Sequence, residues 1–141
     1  MPRPPRGTID HLDLTVRDPR ASRAFYDAVL GFLGYRLASE HDRGFDWDLR
    51  DETGALVSSI GIMRATGDGL TRKHDRTAPG LHHIAWRAES RDDVARLHDL
   101  LVAMGAEVLD PPADYPDYAP GYHAVFFADP DGLKLEFVFQ P

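Results

Sequence analysis

Three side chains of this 141-residue chain have the types and spacing for metal chemistry: His11, His83 and Glu136. The two histidines occupy one station of a pattern written twice, Ile9-Asp10-His11-Leu12-Asp13-Leu14-Thr15-Val16 and Leu81-His82-His83-Ile84-Ala85-Trp86-Arg87-Ala88, 72 residues apart. A strand histidine standing alone is ordinarily a hydrogen-bonded polar residue. Repeated at the same position of two like modules and joined by a carboxylate, it becomes part of a 2-His-1-carboxylate set. Such a set holds one divalent cation and leaves positions open for water or substrate, as catalytic sites do and structural sites do not. The same donors suit Fe, Mn, Zn, Co or Ni as the divalent ion. With no cysteine in the chain, thiolate sites, disulfides and cysteine nucleophiles are all excluded.

The orientation of these side chains follows from strand alternation, because residues two apart share a face. Leu12, Leu14 and Val16 are apolar and should cover a helix, which turns His11, Asp13 and Thr15 to the opposite side. In the second copy Ile84, Trp86 and Ala88 take the core role. His83, Ala85 and Arg87 then face a groove, and His82 is expected on the buried side. In the last strand Leu133, Leu135, Phe137 and Phe139 form one face and Lys134 and Glu136 the other. Asp13 and Arg87 are therefore candidates for substrate contact beside the metal set.

Each histidine strand leads into a helix. Asp18-Pro19 reads as an N-cap followed by proline at the first helical position, with Ala21, Phe25, Val29 and Phe32 at helical spacing and Gly34 closing the element. Ser90 caps the second helix, where Asp92 and Asp93 stand in the first turn, Val94, Leu97, Leu101 and Met104 form the stripe, and Gly105 ends it. A weak strand is expected near Tyr35 to Ala38 and near Glu107 to Leu109. Two strands joined by a tight turn follow in each copy, Gly44 to Arg50 with Ala55 to Met63, and Tyr122 to Ala128 with Leu133 to Phe139. Pro111, Pro112, Pro116 and Pro120 mark an irregular loop ahead of Gly121, from which Tyr115 and Tyr118 would roof a pocket; the intervening Asp114 and Asp117 read as solvated.

The expected fold is α+β: two βαβββ modules with pseudo-two-fold symmetry forming a cupped mixed sheet around a metal-binding groove. The whole chain, 1–141, reads as one domain, with a first module at 8–63, a linker at 64–80 and a second module at 81–139. Half-chains of this size bury too little surface to be stable alone, so they should pack together or exchange with a second subunit, making a homodimer the expected assembly. The formal net charge of −7 argues against nucleic acid or an anionic membrane as partner and leaves basic partners or small molecules, of which a small-molecule substrate is expected. The start, Met1 to Gly7, has no apolar stretch, and no run could cross a bilayer, so a cytoplasmic location is expected.

With these residues in place, the chain resembles the vicinal oxygen chelate superfamily, the glyoxalase, bleomycin-resistance and extradiol dioxygenase group. The likeness is carried by Ile9-Asp10-His11-Leu12, Phe25 to Phe32, Gly80-Leu81-His82-His83-Ile84-Ala85 and Phe127 to Glu136. It implies chelation of neighbouring substrate oxygens by a divalent metal that stabilises oxyanion or enolate charge. Glyoxalase I enzymes use a second glutamate in the first module's last strand, and the position 78 before Glu136 is Ser58. Extradiol dioxygenases and fosfomycin-modifying transferases place a tyrosine ten residues before the glutamate, where this chain has Phe126. The resemblance also puts Tyr122, Ala124 and Phe126 on the groove side and aims Asp46 and Asp48 inward, with Trp47 toward the core and His123 pointing away. Tyr122 is the nearest phenol, either a hydrogen-bonding or proton-transferring catalytic group or an ordinary packed aromatic, and Phe126 and Tyr115 are candidates to line the substrate. No role is expected of His41, His74 or His98. A metal-dependent enzyme, of ring-cleaving dioxygenase or isomerase/lyase type, is the leading expectation. The alternative is a metal-free, drug-sequestering protein of the bleomycin-resistance type.

Overall fold

Strand β1 (His11–Val16) begins a first unit that runs to Arg72 and continues through helix α1 (Pro19–Phe32) and strands β2 (Arg36–His41), β3 (Gly44–Arg50) and β4 (Leu56–Arg64). The second unit, from Lys73, repeats the order: β5 (His83–Arg87), α2 (Arg91–Ala103), β6 (Glu107–Asp114), β7 (His123–Ala128) and β8 (Lys134–Phe139). These elements are those of a computed structural model that describes residues 3–141; Met1 and Pro2, at the head of the polar start, lie outside it. The architecture is α+β, two βαβββ units each built on a four-stranded mixed sheet, ordered β1-β4-β3-β2 and β5-β8-β7-β6. In each sheet the histidine strand pairs in parallel with the last strand of its own unit, and the remaining pairs are antiparallel. Among the described residues no helix is long and apolar enough to cross a membrane.

The predicted helix starts are present. Asp18 accepts a hydrogen bond from the backbone N–H of Arg20 at 3.0 Å with Pro19 as the first helical residue, and Ser90 accepts one from Asp93 N–H at 3.0 Å. Gly34 and Gly105 follow the two helices at φ of 103° and 71°, a left-handed turn that only glycine enters freely. The buried stripe of α1 is Ser22, Phe25, Tyr26, Val29 and Leu30, rotated from the expected one so that Ala21 is exposed. Tyr26 takes the place of a smaller residue because its ring packs against Phe25 and Trp47. Val94, Leu97 and Leu101 of the expected α2 stripe are fully buried, while Met104 caps the helix and is only partly buried.

Two departures have simple causes. Pro111 and Pro112 lie inside β6 instead of a loop; β6 is the outer strand of its sheet, where a missing N–H breaks no ladder, and its register slips on both sides of Asp110. His82 is exposed, not buried, because β5 begins one residue later and strand alternation does not reach it.

Candidate functional site

On the second unit's sheet, residues paired across neighbouring strands share a face, and one face carries His83 and Ala85 from β5, Lys134, Glu136 and Val138 from β8, and Ala124 and Phe126 from β7. Leu135, Phe137 and Phe127 point the other way and are nearly or wholly buried, on the side of α2. Glu136 is only 2% exposed, an unusual setting for a strand glutamate, and its burial is compensated at both oxygens. His83 Nε2 lies 3.1 Å from Oε1, and the Tyr122 hydroxyl donates to Oε2. Burial first, and then the bond to Glu136, push the Tyr122 phenol well above its ordinary range, so it stays a donor.

Tyr122 reaches the carboxylate because the chain before it is closed on itself. The N–H of Tyr115 donates to Tyr122 C=O at 2.9 Å, and that of Tyr122 to Ala119 C=O at 3.2 Å. Tyr115 and Tyr118 stack with ring centroids 5.3 Å apart, while Tyr122 and Phe126 meet Tyr115 edge-on at 6.3 and 5.4 Å. Tyr115, Tyr122 and Leu109 also pack on the apolar patch of Ala124, Phe126 and Val138. His123 points away as expected: its Nδ1 lies 2.7 Å from Asp114 Oδ1. Asp114 is exposed as expected but ends β6 instead of lying in a loop, and it also takes a 2.6 Å bond from Arg91; these two partners, Arg91 first, lower its pKa.

In the first unit the matching face carries His11 and Asp13 beside Ser59 and Gly61 of β4 and Asp46 and Asp48 of β3. A groove of about 420 Å³ runs along it, lined by Asp10, His11, Asp13, Asp46, Asp48 and Ser59 among others. His11 Nδ1 is 2.8 Å from Asp10 Oδ1, and this bond, then the charge of Asp13, raises the imidazole pKa above 6.5. Asp46 takes a bond from Ser39 at 2.7 Å and pairs with His41 at 3.1 Å, so His41, of which no role was expected, helps hold the acidic wall. Trp47 is buried toward the core, where its indole N–H donates to Asp27 at 2.9 Å.

The position in β4 that would carry a second glutamate is displaced from the one obtained by counting. A register shift between Leu49 and Arg50 places one extra residue, Val57, in β4. Ser58 therefore meets the Tyr35 hydroxyl at 3.1 Å on the opposite face, and Ser59 stands across from His11, donating to Asp48 at 2.7 Å. Ser58, Ser59 and Gly61 all lack a carboxylate, so no residue on this part of β4 supplies a second glutamate.

Within neither unit do three His, Asp or Glu side chains of the described residues gather into a metal-holding cluster. The His83–Glu136 pair nonetheless fits one ion. Two donor atoms 3.1 Å apart, each at a bond length of roughly 2.1 Å, subtend about 95° at a shared cation, the angle of adjacent ligands. His83 Nδ1 is occupied by His82 Nδ1 at 2.8 Å as His11 Nδ1 is by Asp10, so in both histidines the partner from the preceding residue leaves Nε2 for a ligand. Packing, and then the charges of His83 and Lys134, lower the pKa of His82 and favour its neutral form. Lys134 is a member of this face that sequence alternation had placed there without a function; its ammonium lies 4.6 Å from the Phe126 ring centroid.

Comparison with known proteins matches the chain to one superfamily. The family model described as Glyoxalase/Bleomycin resistance protein/Dioxygenase superfamily matches residues 8–137. The chain is similar to the uncharacterized protein YqjT of Bacillus subtilis (strain 168), 35% identical over 135 residues that span 92% of this chain and 97% of the relative. Among solved structures it is similar to a Bacillus halodurans protein provisionally assigned as a glyoxalase, with a TM-score of 0.78, 28% identity and coverage of 96% of this chain and 97% of that one. It also shares its fold with a glyoxylase/bleomycin resistance protein/dioxygenase domain from Frankia sp. EAN1pec, at a TM-score of 0.70 and 24% identity, covering 94% and 97% of the two chains.

Proposed function

The chain belongs to the glyoxalase/bleomycin resistance protein/dioxygenase superfamily, and from that premise we propose that it is a divalent-metal-dependent enzyme acting on a small substrate that chelates through neighbouring oxygens. The observation that carries this reading is the buried Glu136 carboxylate, held between His83 Nε2 and the Tyr122 hydroxyl. A protein that only sequesters a ligand has no need of a desolvated carboxylate aimed at an imidazole, and burying one is costly.

The ion would be held by His83 and Glu136, and the matched histidine of the repeat, His11, is the proposed third ligand. The bound ion supplies charge that stabilises oxyanion or enolate character on the chelating oxygens. The Tyr122 hydroxyl donates to Oε2 and holds the carboxylate in one rotamer, which leaves Oε1 beside His83 Nε2, where it would serve as a ligand. Phe126 and Tyr115 form an apolar wall beside the ligands that limits water, and Asp13 and Arg87 contact the polar parts of the substrate. The reaction is of dioxygenase or isomerase/lyase type. The missing glutamate on β4 weighs against proton abstraction by a carboxylate of that strand.

Elemental analysis after reconstitution tests this directly. About one divalent ion per chain is expected, with loss of the ion in His11→Ala, His83→Ala and Glu136→Gln while circular dichroism stays native. A chain that takes up no ion under any reconstitution would instead be a ligand-sequestering protein.

A further inference from the structure

Lys134 is one of only two lysines in a chain with 23 acidic residues, yet no carboxylate pairs with it among the described residues. In a protein of net charge −7 an unpaired, half-buried ammonium on the site face calls for an explanation. Its position is fixed by the ladder. Lys134 is the strand partner of His83, and it stands two residues before Glu136 on the same face. The nearest carboxylate along the strand, that of Glu136, is already committed to His83 and Tyr122. The ammonium rests instead 4.6 Å from the centroid of Phe126, whose ring in turn lies 6.4 Å from that of His83. A ring face stabilises the cation only weakly and leaves its three N–H donors to a ligand.

We propose that Lys134 forms the anion subsite of the pocket, receiving an ionised oxygen of a substrate whose neighbouring oxygen occupies the metal. This rests on the metal-binding reading above and names the substrate class for it. The local charges support the assignment: Glu136 is engaged by His83 and Tyr122, so on this face of the second unit the Lys134 ammonium is left to attract an anion. Such a site favours a chelator that binds as an anion, a carboxylate with an adjacent oxygen, over a neutral diol. The Phe126 ring face lies against the ammonium, which is presented to the ligand without a carboxylate that would compete for it.

The test uses cobalt(II)-loaded protein, its visible spectrum reporting ligands that reach the ion, with oxalate as the anionic probe and imidazole at pH 8 as the neutral one. In Lys134→Met, which keeps contact with Phe126, oxalate should bind roughly tenfold more weakly, imidazole should bind as before, and Lys134→Arg should restore most of the oxalate affinity. Cobalt itself should bind slightly more tightly to Lys134→Met, because a neighbouring cation has been removed. Equal oxalate affinity in the two proteins, or parallel weakening of both probes, would overturn the subsite while leaving the metal site intact. Wild-type protein that takes up no cobalt overturns the metal reading and this subsite together.

Discussion

Asp10 Oδ1 lies 2.8 Å from Nδ1 of His11, and the equivalent atom of His83 meets its own preceding residue, His82, at the same distance. The two histidines thus share an orientation but differ in electrostatics, since one is backed by a carboxylate and the other by an imidazole. The carboxylate raises the His11 pKa above 6.5, with Asp13 adding to the effect. The sign follows: a raised histidine pKa contributes stability that is fully present below pH 6.5 and lost as pH rises through the folded-state value. An imidazole nuclear magnetic resonance titration of metal-free protein should place His11 above 6.5. Asp10→Asn should move that midpoint down, and Asp13→Asn should move it less. An unchanged midpoint in Asp10→Asn would show that the pair does not persist in solution.

Tyr122→Phe removes one oxygen atom and leaves Glu136 Oε2 without its donor in a nearly solvent-free setting. The loss of a hydrogen bond to a buried charged group should destabilise the protein by about 1.5–3 kcal/mol. Metal affinity should fall roughly 10-fold or more, the usual effect of losing a group that orients a ligand. Chemical denaturation and a competitive metal titration measure the two separately. A phenylalanine variant as stable as wild type would mean that Tyr122 is there for its ring alone.

Gly61 lies between two carboxylates. A Cβ at this position would come within 2.4 Å of Asp13 Oδ1 and 2.5 Å of Asp46 Oδ1, so Gly61→Ala must push both aside. The clashing atoms are the ends of side chains rather than backbone, and alanine is intrinsically better than glycine in a strand, so the net change in stability should stay within about 1 kcal/mol. The effect should appear at His11. With Asp13 displaced, the imidazole midpoint falls toward 6.5, and a thermal melt confirms that the fold is retained. A large drop in melting temperature would instead show the two carboxylates to be fixed in place.

The repeated histidine strands, both helix caps and the face of Glu136 are legible in the sequence because each depends on local patterning. Alternation along β8 puts Lys134 and Glu136 together with no knowledge of the neighbouring strands. What the pattern misses depends on pairing between strands. The extra residue at Val57 moves the relevant serine from Ser58 to Ser59, and only the β3–β4 register reveals it. Pro111 and Pro112 read as loop because strand propensity cannot tell an outer strand from a central one, although the difference decides whether proline is tolerated. The carboxylate of Asp114, exposed as expected, has no visible partner in the sequence until β6 and β7 bring it to His123. The proposed role of Lys134 escapes for a related reason: a lysine on a strand looks like ordinary surface until Glu136, its neighbour on the face, is seen to be engaged by His83 and Tyr122.

The two hairpin turns offer an internal comparison of burial at constant chemistry. Asp129 Oδ1 accepts the N–H groups of Asp131 at 2.9 Å and Leu133 at 2.8 Å while only 4% exposed. Asp51 Oδ1 makes the corresponding bonds to Thr53 and Ala55 at 2.8 and 3.0 Å, and takes the Thr53 hydroxyl as well, but on the surface. Removing Asp129 leaves buried donors unsatisfied, so Asp129→Ala should cost about 2–4 kcal/mol, whereas water replaces the lost partners in Asp51→Ala. The Thr53 bonds lower the pKa of Asp51 below 3.8, and the sign is that of a depressed carboxylate. Its stabilisation is present above 3.8 and disappears as pH falls through the folded-state value. Urea unfolding at neutral pH should therefore rank wild type above Asp51→Ala and Asp51→Ala well above Asp129→Ala. Repeated in acid, the gap between wild type and Asp51→Ala should close, and a gap that persists there would show that the protonated side chain still holds the turn and that its charge is not what stabilises it.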